Sequence, residues 1–230
     1  MSLYIVATPI GNMGDITFRA IETLKKVSLI ACEDTRYTRK LLSHYDIHTP
    51  VTSYYEYNKI KKIDYLLEQL TSGRDIALVS DSGTPGISDP GFLIISEAIK
   101  NRIQVISIPG PSAAISALVI AGLPTDSFVF EGFLPRKKGK LRKTLIELAA
   151  LRRTIVFYES PYRITTTLKI MQEAIGNQYI VIARELTKHF EEVLRGDLDT
   201  LIPRLEAQPL KGEMVLLFNP SFTPLENPTD

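Results

Sequence analysis

The chain has 230 residues, enough for one large domain or two small ones with substantial cores. Apolar residues make up 44% and charged residues 23%, as in ordinary water-soluble globular proteins, and the net charge of +1 conceals an uneven distribution. A single cysteine, Cys32, excludes an internal disulfide framework, and no apolar stretch approaches the length of a membrane span.

Strand and helix patterns alternate through the first half of the chain. Strands are predicted at 3–7, 28–32, 51–54, 76–80 and 104–108, with amphipathic helices between most of them. Asp15 and the pair Asp89-Pro90 are the predicted starts of two of these helices. The alternation favours a mainly parallel sheet with helices on both faces. Because a strand pattern follows Met1-Ser2 directly, we expect no signal peptide and a cytoplasmic location.

Turn-forming residues at 121–127 mark a predicted domain boundary. We predict an N-terminal α/β domain at 1–121, a C-terminal α/β domain at 122–220 and a flexible tail at 221–230. The second domain has predicted strands at 127–131, 154–158, 179–184 and 213–218, and predicted helices at about 138–150, 161–175 and 197–207. The spacing of these elements favours a mixed sheet.

Two glycine-rich loops follow strands of the first half. The loop at 82–91 comes directly after the strand at 76–80, and the second loop, 109–113, follows the strand at 104–108. Tight strand-to-helix turns are the simpler interpretation. The first loop, however, carries five polar side chains among and beside its glycines: Asp81, Ser82, Thr84, Ser88 and Asp89. Because α/β proteins bind ligands at the carboxyl ends of parallel strands, the pattern indicates a ligand crevice.

Further polar segments follow other strands. The segment 8–15 comes after the first strand, and Glu33-Asp34-Thr35-Arg36 comes after the second. Charged groups at neighbouring strand ends orient substrates or shift one another's pKa, but an ion pair of Glu33 and Arg36 at a helix start is an equal alternative. In the second half, 184–188 ends one strand and 211–213 precedes the last one.

The common nucleotide and metal motifs are absent from the sequence. It contains neither G-x-G-x-x-G nor G-x-x-x-x-G-K-[ST], so neither a Rossmann dinucleotide site nor a P-loop is predicted. The three histidines, His44, His48 and His189, lie in unrelated contexts. We therefore expect no metal site and no Ser-His-Asp triad.

Positive charge is concentrated in a segment that we call the basic segment. Its members are Arg136, Lys137, Lys138, Lys140, Arg142 and Lys143. Such a patch in a nearly neutral chain suits a polyanion such as RNA, although a solvated helix face is an equal alternative.

Eight motifs in chain order carry a family resemblance. They are 8–12 (TPIGN), 33–36 (EDTR), 80–91 (SDSGTPGISDPG), 109–113 (PGPSA), 132–135 (GFLP), 159–161 (ESP), 184–188 (RELTK) and 212–213 (GE). Over residues 3–218 the chain resembles the ribosomal RNA small subunit methyltransferase I family of the tetrapyrrole methylase superfamily. Ser82 stands where that family usually has alanine.

The resemblance implies two α/β domains with S-adenosylmethionine in the cleft between them, a homodimer, and methylation of the ribose 2′-oxygen of a cytidine in the decoding region of 16S ribosomal RNA, within the small ribosomal subunit. It assigns the cofactor to Pro9, Asp81, Ser82, Gly83, Thr84, Ser88, Ser112, Ala113, Leu186, Gly212 and Glu213. We expect the catalytic groups among Asp34, Arg36, Glu185 and Lys188, and RNA contacts in the basic segment.

Two alternative functions remain compatible with the sequence. One is a tetrapyrrole C-methyltransferase of the same superfamily, against which the basic segment and the motifs at 33–36 and 184–188 argue. The other is a non-catalytic ribosome-binding protein, which titration with S-adenosylmethionine distinguishes from an enzyme.

Overall fold

The computed structural model describes residues 1–54 and 59–223. The chain divides into two compact units, Met1–Ser112 and the remainder from Ala113. Both are α/β units, the first with a parallel sheet and the second with a mixed one, as predicted.

The first unit is built on five parallel strands in the order β3-β2-β4-β1-β5. The strands are β1 (Ser2–Val6), β2 (Leu29–Cys32), β3 (Val51–Ser53), β4 (Ile76–Val79) and β5 (Gln104–Ile108), and the helices are α1 (Phe18–Lys26), α2 (Thr35–His44), α3 (Lys59–Thr71) and α4 (Phe92–Lys100). All residues of β2 and β4 are buried, as expected for strands covered on both faces.

Helices cover both faces of this sheet. Leu24 of α1 and Leu41 of α2 pack in one core cluster. Leu66 of α3 and Ile94 of α4 pack in the other. The chain therefore leaves the neighbouring strands β1 and β4 toward opposite faces, which opens a crevice at their carboxyl ends.

The second unit is built on a five-stranded sheet in the order β6-β7-β10-β8-β9. Its elements are α5 (Ala113–Ala121), β6 (Phe128–Phe133), α6 (Lys138–Ala150), β7 (Thr154–Glu159), α7 (Ile164–Ile175), β8 (Tyr179–Arg184), β9 (Glu192–Asp197), α8 (Leu198–Ala207) and β10 (Met214–Phe218). Strands β6, β7 and β8 run in one direction and β9 and β10 in the other, because only the β6–β7 pair is parallel. The carboxyl ends of β6, β7 and β8 and the start of β10 therefore lie side by side, at the edge of the sheet that runs across the strand ends.

Several elements differ from the sequence prediction. Strand β9 was not predicted, because its charged residues and glycine resemble a loop; among the described strands it lies at the edge of the sheet and pairs with β8. Helix α1 is capped by Thr17 instead of Asp15, and α4 begins after Gly91, beyond Asp89-Pro90.

The observed division of the chain falls before α5, at the opposite end of that helix from the predicted boundary at 121/122. Helix α5 packs on β7, β8 and β10, which explains why it belongs to the second unit. Of the predicted tail 221–230, residues 224–230 lie outside the described part. Ser221 N and Phe222 N donate hydrogen bonds to Asn219. Within residues 1–54 and 59–223, no helix combines the length and apolarity needed to span a bilayer.

Candidate functional site

The loops at the carboxyl ends of β1 and β4 are joined through their backbones. Thr8 N donates to Gly83 O at 2.9 Å, and Gly83 N donates to Thr8 O at 3.1 Å. The Thr8 hydroxyl also donates to Ser80 O at 3.1 Å. These bonds hold the segment 80–91 against the first strand, at the crevice that the sheet topology opens.

Two further hydrogen bonds connect the remaining strand ends. The Thr84 hydroxyl donates to Pro111 O, in the loop after β5, at 3.2 Å. Asp34 N, in the loop after β2, donates to Asp81 Oδ1 at 3.0 Å. The four polar loops of the first unit therefore form one connected edge, on which the predicted residues Pro9, Ser82, Ser88 and Ser112 also lie.

A small pocket opens at this edge. It is lined by Thr8, Pro9, Gly11, Met13, Tyr37, Thr38, Leu41, Ser80 and Asp81. Its lining mixes hydroxyls and a carboxylate with apolar surface. This composition fits a ligand with polar and apolar parts.

Pro9 and Asp81 are the predicted cofactor residues that line this pocket. Tyr37 and Thr38 were not predicted, because they lie within α2, where their pattern is that of ordinary helix residues. Ser80 belongs to the motif at 80–91 but was not predicted as a site residue. Its hydroxyl lies 3.2 Å from Ser82 O and 3.3 Å from Gly83 O and so stabilises the turn.

Carboxyl groups at this edge have raised pKa values. Burial raises the pKa of Asp89 to about 6, with a further contribution from the negative charge of Glu33. Burial likewise raises the pKa of Glu33 and of Asp81, and neighbouring carboxylates add to both shifts. Perturbed carboxyl groups beside a pocket are characteristic of functional sites.

Asp34 and Arg36 form an ion pair at the start of α2. Asp34 accepts hydrogen bonds from Arg36 N at 2.8 Å and from the guanidinium at 2.8 and 3.1 Å. These bonds lower the pKa of Asp34 to about 2. An ion pair at the helix start is therefore observed, but with Asp34 in the place expected for Glu33.

In the second unit, Glu185, Lys188 and Glu213 form a charged cluster at the shared strand-end edge. Lys188 Nζ lies 2.9 Å from Glu185 Oε1 and 2.8 Å from Glu213 Oε2. The backbone closes the cluster, since Glu213 N donates to Glu185 Oε1 and Glu185 N donates to Glu213 O, both at 2.9 Å. The predicted residues Leu186, which is buried, and Gly212 lie between its members.

The cluster fixes the charge of its members. Burial alone would lower the pKa of Lys188, but the hydrogen bonds and negative charges of Glu213 and Glu185 outweigh burial and raise it. Burial would raise the pKa of Glu185, but hydrogen bonds from Glu213 N and Lys188 prevail and lower it. At neutral pH the lysine is a cation and Glu185 an anion.

All six members of the basic segment are exposed, on α6 and the loop before it. Lys143 lies 3.7 Å from Glu147. The other five members, Arg136, Lys137, Lys138, Lys140 and Arg142, make no ion pair with the described residues. Their charge is therefore available to a polyanion.

Two other predictions concern single features. Ala113 is the first residue of α5 and is partly buried. Within the described ranges 1–54 and 59–223, no three His, Cys, Asp or Glu side chains form a group able to hold a metal ion.

The sequence matches known proteins along nearly its whole length. The profile of the family "Tetrapyrrole (Corrin/Porphyrin) Methylases" matches residues 2–202. The chain is 51% identical over 216 residues to ribosomal RNA small subunit methyltransferase I of Halalkalibacterium halodurans, covering 94% of this chain and 75% of the relative. The protein of the same name from Synechocystis is 48% identical, over 99% of this chain and 81% of the relative.

Solved structures with low sequence identity share the fold. A diphthine synthase superimposes with a TM-score of 0.74 at 14% identity, covering 95% of this chain and 90% of that one. A cobalt precorrin-4 methyltransferase gives a TM-score of 0.70 at 14% identity, covering 95% and 94%. Since the sequence relatives are far above the identity at which a family is shared, the chain belongs to the ribosomal RNA small subunit methyltransferase I family of the tetrapyrrole methylases.

Proposed function

We propose that this chain is an S-adenosylmethionine-dependent methyltransferase that modifies the ribose 2′-oxygen of a cytidine in the decoding region of 16S ribosomal RNA. The observation that carries the proposal is the 51% identity, over 94% of the chain, to a relative named as a small-subunit ribosomal RNA methyltransferase. The tetrapyrrole alternative has weaker support, because the cobalt precorrin enzyme shares only 14% identity.

The cofactor is proposed to bind at the predicted residues of both units. These are Pro9, Asp81, Ser82, Gly83, Thr84, Ser88 and Ser112 of the first unit and Ala113, Leu186, Gly212 and Glu213 of the second. The pocket beside Pro9 and Asp81 supports this assignment by its position at the strand ends and its mixed polar and apolar lining. When bound, S-adenosylmethionine supplies a methyl group already activated on a sulfonium.

Among the four proposed catalytic residues, we assign the electrostatic role to Lys188. Two carboxylates hold its ammonium group and keep it charged, so it is a poor general base and a good donor. Placed beside the ribose 2′-oxygen, it stabilises the negative charge that develops there as the proton leaves. Glu185 and Glu213 position Lys188, and Glu185 is the proposed acceptor of the proton.

Asp34 and Arg36 are less suited than Lys188 and Glu185 to a direct role in the reaction. A carboxyl group with a pKa of about 2 is a poor proton acceptor at neutral pH, and its oxygens already bind the guanidinium. We propose that this pair orients the loop after β2 and, through Asp34 N, the Asp81 carboxylate.

The proposed partners follow from the same surface features. The basic segment contacts the RNA backbone, within the small ribosomal subunit and in the cytoplasm. A homodimer is supported by exposed apolar side chains of α5, Ile115 and Val119, which a second copy would cover.

Mass mapping of small-subunit ribosomal RNA from cells with and without the gene tests the proposal. We expect one cytidine to lose a ribose methyl group in the deletion strain and to regain it when the wild-type gene is returned. Unchanged RNA would refute the substrate. Calorimetric titration of the purified chain with S-adenosylmethionine tests cofactor binding directly. Absence of binding would favour the non-catalytic alternative.

A further inference from the structure

One edge of the second sheet gathers the ends of four strands. Glu159 of β7, Met214 of β10 and Arg184 of β8 are paired in register across the sheet. Phe133 ends β6 beside them, paired with Tyr158. Three strand spacings separate β6 from β8, or about 15 Å. We call this the strand-end edge; it also carries the Glu185–Lys188–Glu213 cluster.

Three aromatic side chains of this edge are largely exposed. Phe133 is 61% exposed at the end of β6, Tyr162 is 96% exposed after β7, and Phe190 is 68% exposed in the loop after β8. Single exposed apolar residues are common on protein surfaces. Three exposed aromatic rings at or just after the ends of β6, β7 and β8, which share one edge, indicate a binding surface.

The same edge is rich in unpaired positive charge. Arg136, Lys137 and Lys138 follow β6, and none of them makes an ion pair with the described residues. Acidic groups of the edge have partners as well: Glu185 and Glu213 bind Lys188, Glu159 accepts from Ser160 N and Thr167, and the exposed Glu191 accepts from Thr187 N. Cations beside exposed rings suit an anionic chain with flat, unpaired bases.

We propose that Tyr162 and Phe190, with Phe133 beside them, stack on unpaired RNA bases that flank the methylated nucleotide. This inference rests on the proposed function and adds residues beyond those assigned to cofactor and catalysis. Phe190 lies two residues after Lys188, so a base stacked on it would place the neighbouring ribose close to the charged cluster. Stacking tolerates many sequences, because every base has a flat face.

Tryptophan substitutions provide a direct measurement. The chain contains no tryptophan, so Tyr162→Trp or Phe190→Trp introduces a single fluorophore. A stacked base quenches it. The matched control is Phe128→Trp, which places the fluorophore at the opposite end of β6, also on the exposed surface. The probes are a short single-stranded RNA and the same strand annealed to its complement.

We expect quenching of the Tyr162→Trp and Phe190→Trp proteins by single-stranded RNA, little quenching by the duplex, and none in the Phe128→Trp protein. Tyr162→Ala and Phe190→Ala should each raise KM for the small ribosomal subunit about 5-fold or more, with unchanged melting temperature. Equal quenching at Phe128, or unchanged KM in both alanine variants of an active enzyme, would overturn the inference.

Two outcomes distinguish this inference from the proposed function and from self-association of the chain. If the wild-type chain does not methylate the subunit, the proposed function fails, whereas the quenching measurement still tests stacking because it requires no activity. If the tryptophan emission changes with protein concentration and the alanine variants shift the sedimentation of the free protein, the edge binds a second copy of the chain. That result would overturn stacking on RNA.

Discussion

Replacing Gly212 with alanine tests whether the Glu185–Lys188–Glu213 cluster requires a residue without a side chain. A Cβ at Gly212 would collide with Glu185 Oε1 and would lie 2.5 Å from Cδ and 2.6 Å from Cγ of the same side chain. The whole Glu185 side chain must therefore move. Its contacts with Lys188 Nζ and Glu213 N, each 2.9 Å long, would break.

Two destabilising effects add in the Gly212→Ala variant. The φ of Gly212 is +91°, and holding an alanine in left-handed backbone costs about 1–2 kcal/mol. A lost hydrogen bond to a charged group costs roughly 1.5–3 kcal/mol when buried, which we reduce to ~1 kcal/mol each because the cluster is partly solvated. With two such bonds lost, we expect the free energy of unfolding to fall by about 3–4 kcal/mol.

Gly122→Ala is the matched control, in the same compact unit. Its φ is +74°, and among the described residues no atom beyond its chain neighbours lies within 4 Å of its added Cβ, so only the backbone cost of about 1–2 kcal/mol remains. Urea unfolding measures the free energy of unfolding of both variants, and equal m-values make the two values comparable. In the double variant Gly212→Ala/Glu185→Ala the added methyl group should cost no more than in the control. Equal losses of stability for Gly212→Ala and Gly122→Ala would refute the steric reasoning.

Three further predictions concern charge. Lys188→Met should lower the methylation rate about 100- to 1,000-fold, the effect of removing an oxyanion donor, while calorimetry shows unchanged S-adenosylmethionine affinity; a matching loss of affinity would contradict the electrostatic role. Burial raises the pKa of Asp89 to about 6, so its favourable contribution to folding is complete below its unfolded pKa of ~4 and is lost as pH rises through about 6. Asp89→Asn should therefore stabilise the protein by roughly 1 kcal/mol at pH 8, after allowance for solvent screening, and by nearly nothing at pH 4; thermal unfolding at both pH values checks the sign. Lys138→Gln/Arg142→Gln should reduce the slope of log affinity for RNA against log salt by about 2, whereas Lys100→Gln, which removes an ion pair with Glu97, should leave the slope unchanged.

The first sheet was predictable because strands buried on both faces have a distinctive composition. All four residues of β4, Ile76–Val79, are apolar and buried, and a short run of this kind in an alternating α/β pattern is typical of a central parallel strand. Strand β9 has no such composition. Its exposed positions carry charge, as edge strands do to avoid pairing with other chains, so the strand is defined by its partner β8 and not by its own residues.

The candidate site shows a similar division. The loops were predictable, since polar residues and glycines after apolar strands have a local signature. The hydrogen-bond and ion-pair partners of the loop residues were not predictable. Arg36 binds Asp34 at a separation of two residues, whereas the ion pair considered from the sequence was Glu33 with Arg36. The bond from Asp34 N to Asp81 joins residues 47 positions apart, and only the strand order brings them together.

The glycines of the segment 80–91 have a structural reason that the sequence alone did not reveal. A Cβ at Gly91 would lie 2.9 Å from the backbone of Gly86, so the loop folds back on itself at a contact that admits no side chain. Helix α4 begins only after Gly91, and the side chains from Asp81 to Asp89 are presented before any helix forms. The loop is therefore shaped by its own contacts and by its bonds to Thr8 and Pro111. The loop can therefore present polar groups for a ligand without the glycine fingerprint of a Rossmann fold. In a Rossmann fold, by contrast, the ligand phosphates bind at the start of a helix.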